Sequence, residues 1–146
     1  MIFTIRPAEE KDIERLACIE KEFSDNSWTE QQLREELAHQ HANLLCCLNG
    51  SEPVGFCDLH IVADDAHINE ICVEPSHRRM GAAHALMHHV IGLCKKMNCT
   101  SLTLEVRSKN EPAIQLYKKS GFVPCGSRAR FYHNPADDAV TMQLRF

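Results

Sequence analysis

A chain of 146 residues can bury roughly 70% of its unfolded surface, so it needs no covalent staples, and its length points to one domain, residues 1–146. Hydrophobic residues at 44% and charged residues at 25% are ordinary for a globular protein. A net charge of −4 argues against general nucleic-acid binding, and no apolar run approaches the ~20 residues of a membrane span. Neither nucleic acid nor membrane is therefore an expected partner.

The first residues, Met1 to Glu10, carry early charges and no apolar stretch of signal-peptide length, which predicts a cytoplasmic protein. Phe3–Arg6 alternates like a short strand. Ile13, Leu16, Ile19 and Phe23 mark a first helix. A second helix is better signposted: Thr29 and Gln32 form a capping box, and Trp28 with Leu33 fits a hydrophobic staple around it. Asn43–Leu48 and Val54–Val62 read as strands joined by the turn Asn49-Gly50-Ser51-Glu52-Pro53. His67–Val73 reads as a third strand of this group.

From Gly81 to Met97 the apolar positions Leu86, Val90, Leu93, Cys94 and Met97 keep helical spacing. Leu102–Val106 is a strand. Asn110 caps a further helix with Pro112 in its first turn, and Gly121 closes it. A short strand is expected near Phe122–Cys125, the stretch around Arg130 and Tyr132 as a surface loop, and Ala139–Phe146 as the last strand. Antiparallel hairpins followed by a β-α-β-α unit make the fold α/β, a mixed sheet with helices on both faces.

The eight cysteines form no Cys-x-x-Cys pair and are scattered through apolar segments, as reduced, mostly buried thiols would be. Cys46 and Cys47 should point to opposite faces of their strand. His84 and His88 stand four apart on a helix, but Ala85 occupies the place of a zincin glutamate and no ligand set completes the pattern. No metal is expected.

The stretch "ICVEPSHRRMGAAHALMHHVIGLC", Ile71–Cys94, carries the most chemistry. A strand feeds a loop, and the loop feeds a helix N-terminus whose first amides have no intrahelical acceptors. The helix dipole adds partial positive charge, Arg78 and Arg79 add fixed charge, and Gly81, Ala82 and Ala83 leave room near the backbone. Such a cradle, with the amides of Arg79, Met80, Gly81, Ala82, Ala83 and His84, would hold a pyrophosphate. No Gly-Lys-Ser/Thr follows, so it is not a Walker loop, and the Rossmann glycine triplet is missing.

Arg78-x-x-Gly81-x-Ala83 resembles the pyrophosphate signature of the GNAT family of N-acetyltransferases. The segment "LEVRSKNEPAIQLYKKSGF", Leu104–Phe122, is similar to that family's second half. "SWTEQQLREEL", "LEVRSKN" and "RARFYHNPADDAVTMQL" further resemble the bacterial ribosomal-protein-alanine N-acetyltransferases (RimI type). Ala83 replaces the usual second glycine, and Ser27 stands where those enzymes often have proline before the tryptophan. The resemblance implies a GNAT fold splayed between its fourth and fifth strands, acetyl-CoA as co-substrate, and a peptide or ribosomal-protein N-terminus as acceptor.

The resemblance also assigns roles. Glu105, alone charged between Leu102 and Val106, would be the general base, acting through water. Tyr117 would be the general acid that protonates the leaving thiolate; its other reading is a core tyrosine. Ile71, Cys72 and Val73 would line the pantetheine arm and offer a backbone amide to the thioester carbonyl. Asn110 would cap its helix, contact the cofactor, or both. Trp28, Arg130 and Tyr132 would lie on the acceptor side. A small-amine acetyltransferase and a non-catalytic acyl-CoA-binding module remain as alternatives. Glu105 and Tyr117 together speak against the second.

Overall fold

The computed structural model describes residues 2–23, 27–133 and 135–146. Seven strands form one sheet in the order β1-β2-β3-β4-β5-β7-β6. They are β1 (Phe3–Pro7), β2 (Ala42–Asn49), β3 (Glu52–Val62), β4 (Asp65–Val73), β5 (Ser101–Arg107), β6 (Val123–Tyr132) and β7 (Asp137–Arg145). Among the described residues the α-helices are α1 (Ile13–Phe23), α2 (Glu30–Ala38), α3 (Ala82–Lys96) and α4 (Glu111–Lys119). Neighbouring strands run antiparallel except β4 and β5, which are parallel.

Side-chain alternation divides the core into two layers. Leu45, Cys47, Cys57, Leu59, Leu102, Leu104 and Val106 pack with α3 and α4, whereas Leu44, Cys46 and Phe56 pack with α1 and Leu33 of α2. Cys46 and Cys47 thus occupy opposite faces, as a period of two requires. Ile13, Leu16 and Ile19 of α1 are all fully buried, which removes on the order of 5–9 kcal/mol of apolar exposure before the entropy of ordering is counted. All eight cysteines are free, and only Cys18 and Cys125 are exposed.

The second helix begins as expected. Gln32 N–H donates to Thr29 Oγ1 at 3.1 Å, and Thr29 N–H donates to Gln32 Oε1 at 2.8 Å. At the other end of the chain the expectation needs correction. Instead of a short strand and a loop, β6 runs ten residues and pairs with β7 as far as Tyr132↔Asp137. Pro124 and Gly126 weigh against a strand, but β6 is the sheet's outer edge, where proline costs no ladder bond. Its register shifts twice, and Arg130 takes φ +55° in the second irregular stretch.

One irregularity shapes the site. Asp58 pairs with Glu70 but Leu59 pairs with Ile68, so Asn69 is an extra residue of β4, a bulge. Bulges bend a strand and sharpen its twist. Pairing of β4 with β5 runs from Asp65↔Ser101 to Ile68↔Leu104 and stops there. Beyond the bulge the strands part. Gly55, opposite Val73, allows the bent strand to lie close on β3: a Cβ there would meet the Cys72 carbonyl oxygen at 2.7 Å.

Candidate active site

Leu104 is the last residue of β5 paired with β4, so Glu105 is the first beyond the parting. Leu102, Leu104 and Val106 enter the α3–α4 layer, and alternation sends Thr103, Glu105 and Arg107 to the opposite face. The Glu105 side chain is 15% exposed. Its Oε2 is buried and without a hydrogen bond; Arg128 Nε lies 3.4 Å away, an ion-pair distance whose geometry falls short of one.

Tyr117 stands on the other face, 5% exposed within the α3–α4 layer, with its ring centroid 5.9 Å from that of Phe122. Burial pushes its hydroxyl well above the ordinary tyrosine value, with the charges of Cys57, Glu70 and Tyr132 adding to the rise. The proton is thus held more firmly than a free tyrosine's near 10, the value the sequence alone suggests. Among the described residues its hydroxyl makes no hydrogen bond, and its oxygen is not one of the buried unsatisfied atoms, so solvent reaches it.

Four polar groups near the parting were missed by the sequence reading. His67 Nδ1 and Thr103 Oγ1 are 2.7 Å apart across the β4–β5 pair, and burial holds the His67 imidazole below its ordinary value against the opposing pull of Glu105. Glu70, one residue past the bulge, is held well above the usual carboxylate range by burial and by the charge of Glu20 on α1. Arg128 is the cation beside Glu105. The available signal was the polar interruption His67, Asn69 and Glu70 in an otherwise apolar strand.

The cradle has the expected backbone. Gly81 caps α3 with φ +95°, a left-handed conformation that favours glycine, and a Cβ there would meet nothing within 4 Å. Ala85 N–H donates to Gly81 O at 2.9 Å, so the amides ahead of it face outward from the helix end. Ala82 is buried beneath the first turn, Ala83 is half-buried, and Met80 and His84 are exposed. Arg79 has φ +62°, and Arg78 Nε donates to Val73 O at 3.2 Å, which ties the loop to the end of β4. Buried Glu74 anchors the loop's start by pairing with Arg15 of α1 and His77 and by accepting from Ser76 Oγ.

The β4 residues of the parting divide by face. Ile71 and Val73 pack with the α3–α4 layer, and Cys72 with the α1 layer. Burial, then the charges of Glu20 and Glu70, pushes the Cys72 thiol far above its ordinary value. A thiol so held is a poor nucleophile, which disfavours an acetyl-cysteine route.

Asn110 caps α4, its Oδ1 accepting from Ala113 N–H at 3.3 Å. Tyr132 is half-buried and lies under Arg107, whose Cζ is 4.5 Å from the ring centroid. Arg107 also donates to Pro135 O at 2.7 Å and His133 O at 3.2 Å, fixing the β6–β7 hairpin to β5. Burial, then Glu105 and Glu70, pushes Tyr132 up to about 12, so this ring shares the neighbourhood of both carboxyls. Arg130 is exposed, and its N–H donates to Asp138 Oδ1 at 2.8 Å. Trp28 packs against the α1 layer and lines a groove of about 480 Å³ between α1 and α2 with Cys18, Lys21 and Arg34. No hydrogen bond or ring contact joins it to Tyr132 or Arg130 among the described residues.

Residues 11–122 match the model of the acetyltransferase (GNAT) family. The chain is 34% identical over 133 residues to a Bacillus subtilis protein provisionally named a [ribosomal protein bS18]-alanine N-acetyltransferase, covering 90% of this chain and 88% of the relative. It is 30% identical over 143 residues to the [ribosomal protein bS18]-alanine N-acetyltransferase of Escherichia coli K12, covering 97% and 96%. The crystal structure of the ribosomal-protein-S18-alanine N-acetyltransferase from Escherichia coli superimposes with a TM-score of 0.90 at 27% identity, over 99% of this chain and 94% of that one. The parted strands, the capped helix end and the family match agree: the chain belongs to the GNAT family and is an N-acetyltransferase.

Proposed function

We propose that residues 1–146 act as one N-acetyltransferase domain that moves the acetyl group of acetyl-CoA to the α-amine of a protein N-terminus, foremost the N-terminal alanine of ribosomal protein bS18. The observation that carries this reading is the parting of β4 and β5 at Ile68 and Leu104, with Glu105 the first residue of β5 past the last pair. The names of the bacterial relatives support the acceptor.

The residues present fit the co-substrate. Backbone open at Gly81, the amides from Arg79 to His84 and the positive end of α3 suit a pyrophosphate. The unpaired edge of β4 from Ile71 to Val73 suits an extended pantetheine arm, and its amides suit the thioester carbonyl. Acetyl-CoA supplies the activated acyl carbon; the chain supplies the proton traffic.

An α-amine has a pKa near 7.7–8, so a modest base suffices to hold it neutral. Glu105 accepts that proton, through water. Tyr117, kept protonated by burial, donates to the departing thiolate. Base and acid stand on opposite faces of the sheet, and the gap between β4 and β5 gives both access to one carbonyl. The amine enters on the α1–α2 face and the thiolate leaves toward α4. Tyr132, with Arg107 behind it, and Arg130 border the acceptor side, and Asn110 orients the turn after β5.

The test is to incubate the purified chain with acetyl-CoA and an Ala-Arg-initiated peptide and read the product by mass spectrometry. One acetyl on the α-amine is expected, and none on the same peptide with a blocked N-terminus. Acetylation of polyamines or aminoglycosides with an untouched peptide would move the reading to a small-amine enzyme.

A further inference from the structure

We propose that Glu36 of α2 and Asp58 and His60 of β3 form a binding site for a divalent transition-metal ion. Their ligand atoms all lie within 4.8 Å of one another. His60 Nε2 is 2.7 Å from Glu36 Oε2 and 3.4 Å from Asp58 Oδ2. Donors on a tetrahedral zinc ion stand roughly 3.3 Å apart, so small side-chain movements would close the set. The pattern is invisible in sequence, because a helix and a strand supply it from residues more than twenty positions apart.

An ion-pair reading leaves something over. Nε2 carries one proton and can serve one acceptor, and Glu36 holds the shorter contact. Asp58 is fully buried, its Oδ2 lies 3.4 Å from both Asn69 Nδ2 and His60 Nε2, and its Oδ1 has no hydrogen-bond partner among the described residues. An unsatisfied buried carboxylate oxygen is costly. A dication would meet all three donors, take the place of the Nε2 proton and neutralise both carboxylates. One imidazole with two carboxylates suits zinc or cobalt better than magnesium, which does not select nitrogen. The His39 ring stands 4.8 Å from that of His60.

The site bears on the parting of the strands. Asp58 pairs with Glu70 beside the bulge, and the bulged residue Asn69 is the one that donates to Asp58. An ion here would brace the bend of β4 against α2.

Chelator-stripped full chain should be titrated with cobalt(II), followed by visible absorption and calorimetry, then competed with zinc. One equivalent is expected, with d–d bands, no thiolate-to-cobalt charge transfer, and displacement by zinc. His60→Gln and Glu36→Gln, both at partly exposed side chains, should weaken binding at least about tenfold and leave the metal-free circular dichroism unchanged. Asp58→Asn should abolish binding and raise the metal-free melting temperature by removing the unpaired charge. Absence of binding at 100 µM cobalt, binding that survives His60→Gln, or a thiolate charge-transfer band would each overturn the proposal.

Discussion

Arg128 Nε, reaching over β7 from the edge strand β6, lies 3.4 Å from Oε2 of Glu105 on β5. The arginine side chain is 62% exposed, so the pair sits in high dielectric on one side. Exposed ion pairs contribute about 0.2–1 kcal/mol. Arg128→Met should therefore lower kcat/KM by no more than about fivefold, with the carboxylate still in place. Steady-state kinetics at neutral pH decide the matter. A loss of a hundredfold would mean that Arg128 touches the acceptor.

Gly81→Asp tests the cradle. Aspartate tolerates the left-handed conformation better than most residues, and a Cβ at Gly81 meets nothing, so the variant should fold. Its carboxylate would stand where phosphate is placed, at the positive end of α3. Acetyl-CoA affinity measured by calorimetry should fall about 5- to 30-fold, matching the ~1–2 kcal/mol of a charge at a partly buried helix end. Unchanged affinity would remove the cradle from the account.

The fold was legible in the sequence where local chemistry decides it. The Thr29–Gln32 box, the Asn110 cap and the Gly121 terminus each fix an element with neighbours in sequence alone. The parting of β4 and β5 was legible only by resemblance, because the bulge at Asn69 has no local signal. β6 was misjudged for the opposite reason: Pro124 and Gly126 are strong local signals, but edge position removes their cost. At the site, Glu105, Tyr117 and the Gly81 turn lie in recognisable motifs. His67 and Glu70 do not, and Arg128, although it opens the stretch "RARFYHNPADDAVTMQL", is brought to Glu105 only by pairing across strands.

Asp12 is a stability prediction with a defined pH dependence. It is 4% exposed, receives Arg6 Nη1 at 2.8 Å and Nη2 at 3.0 Å, and accepts from Glu9 N–H at 2.8 Å. The Arg6 hydrogen bonds hold its carboxyl below the usual range. A depressed folded pKa stabilises above the unfolded value near 4 and is lost as pH falls through the folded one. Asp12→Asn should cost about 2–4 kcal/mol at pH 7, near the lower end for a broken buried pair because Arg6 stays partly wet. Urea unfolding should show that gap shrinking as pH falls below about 4. A gap that holds constant down to pH 2 would contradict the ion-pair origin.

Tyr117→Phe separates acid from core. The ring stays packed against Phe122, and the lost hydroxyl has no protein partner, so stability should change by less than ~1 kcal/mol. Acetyl-CoA affinity should hold within about twofold while kcat falls roughly 10²-fold or more, the range of a general acid. Normal turnover per folded molecule with a lowered melting temperature would make Tyr117 a core residue only.

The claim at the centre is that Glu105, first past the parting of β4 and β5, takes the proton of the attacking amine. Glu105→Gln keeps the shape and removes the base. The measurement is kcat/KM for an alanine-initiated peptide from pH 6.5 to 9.5, wild type against variant. At neutral pH the variant should be down roughly 10²-fold. The deficit should shrink as pH rises past the amine's own pKa near 8, where the nucleophile is neutral unaided. A deficit equal at every pH would show that Glu105 positions the acceptor and is not the base.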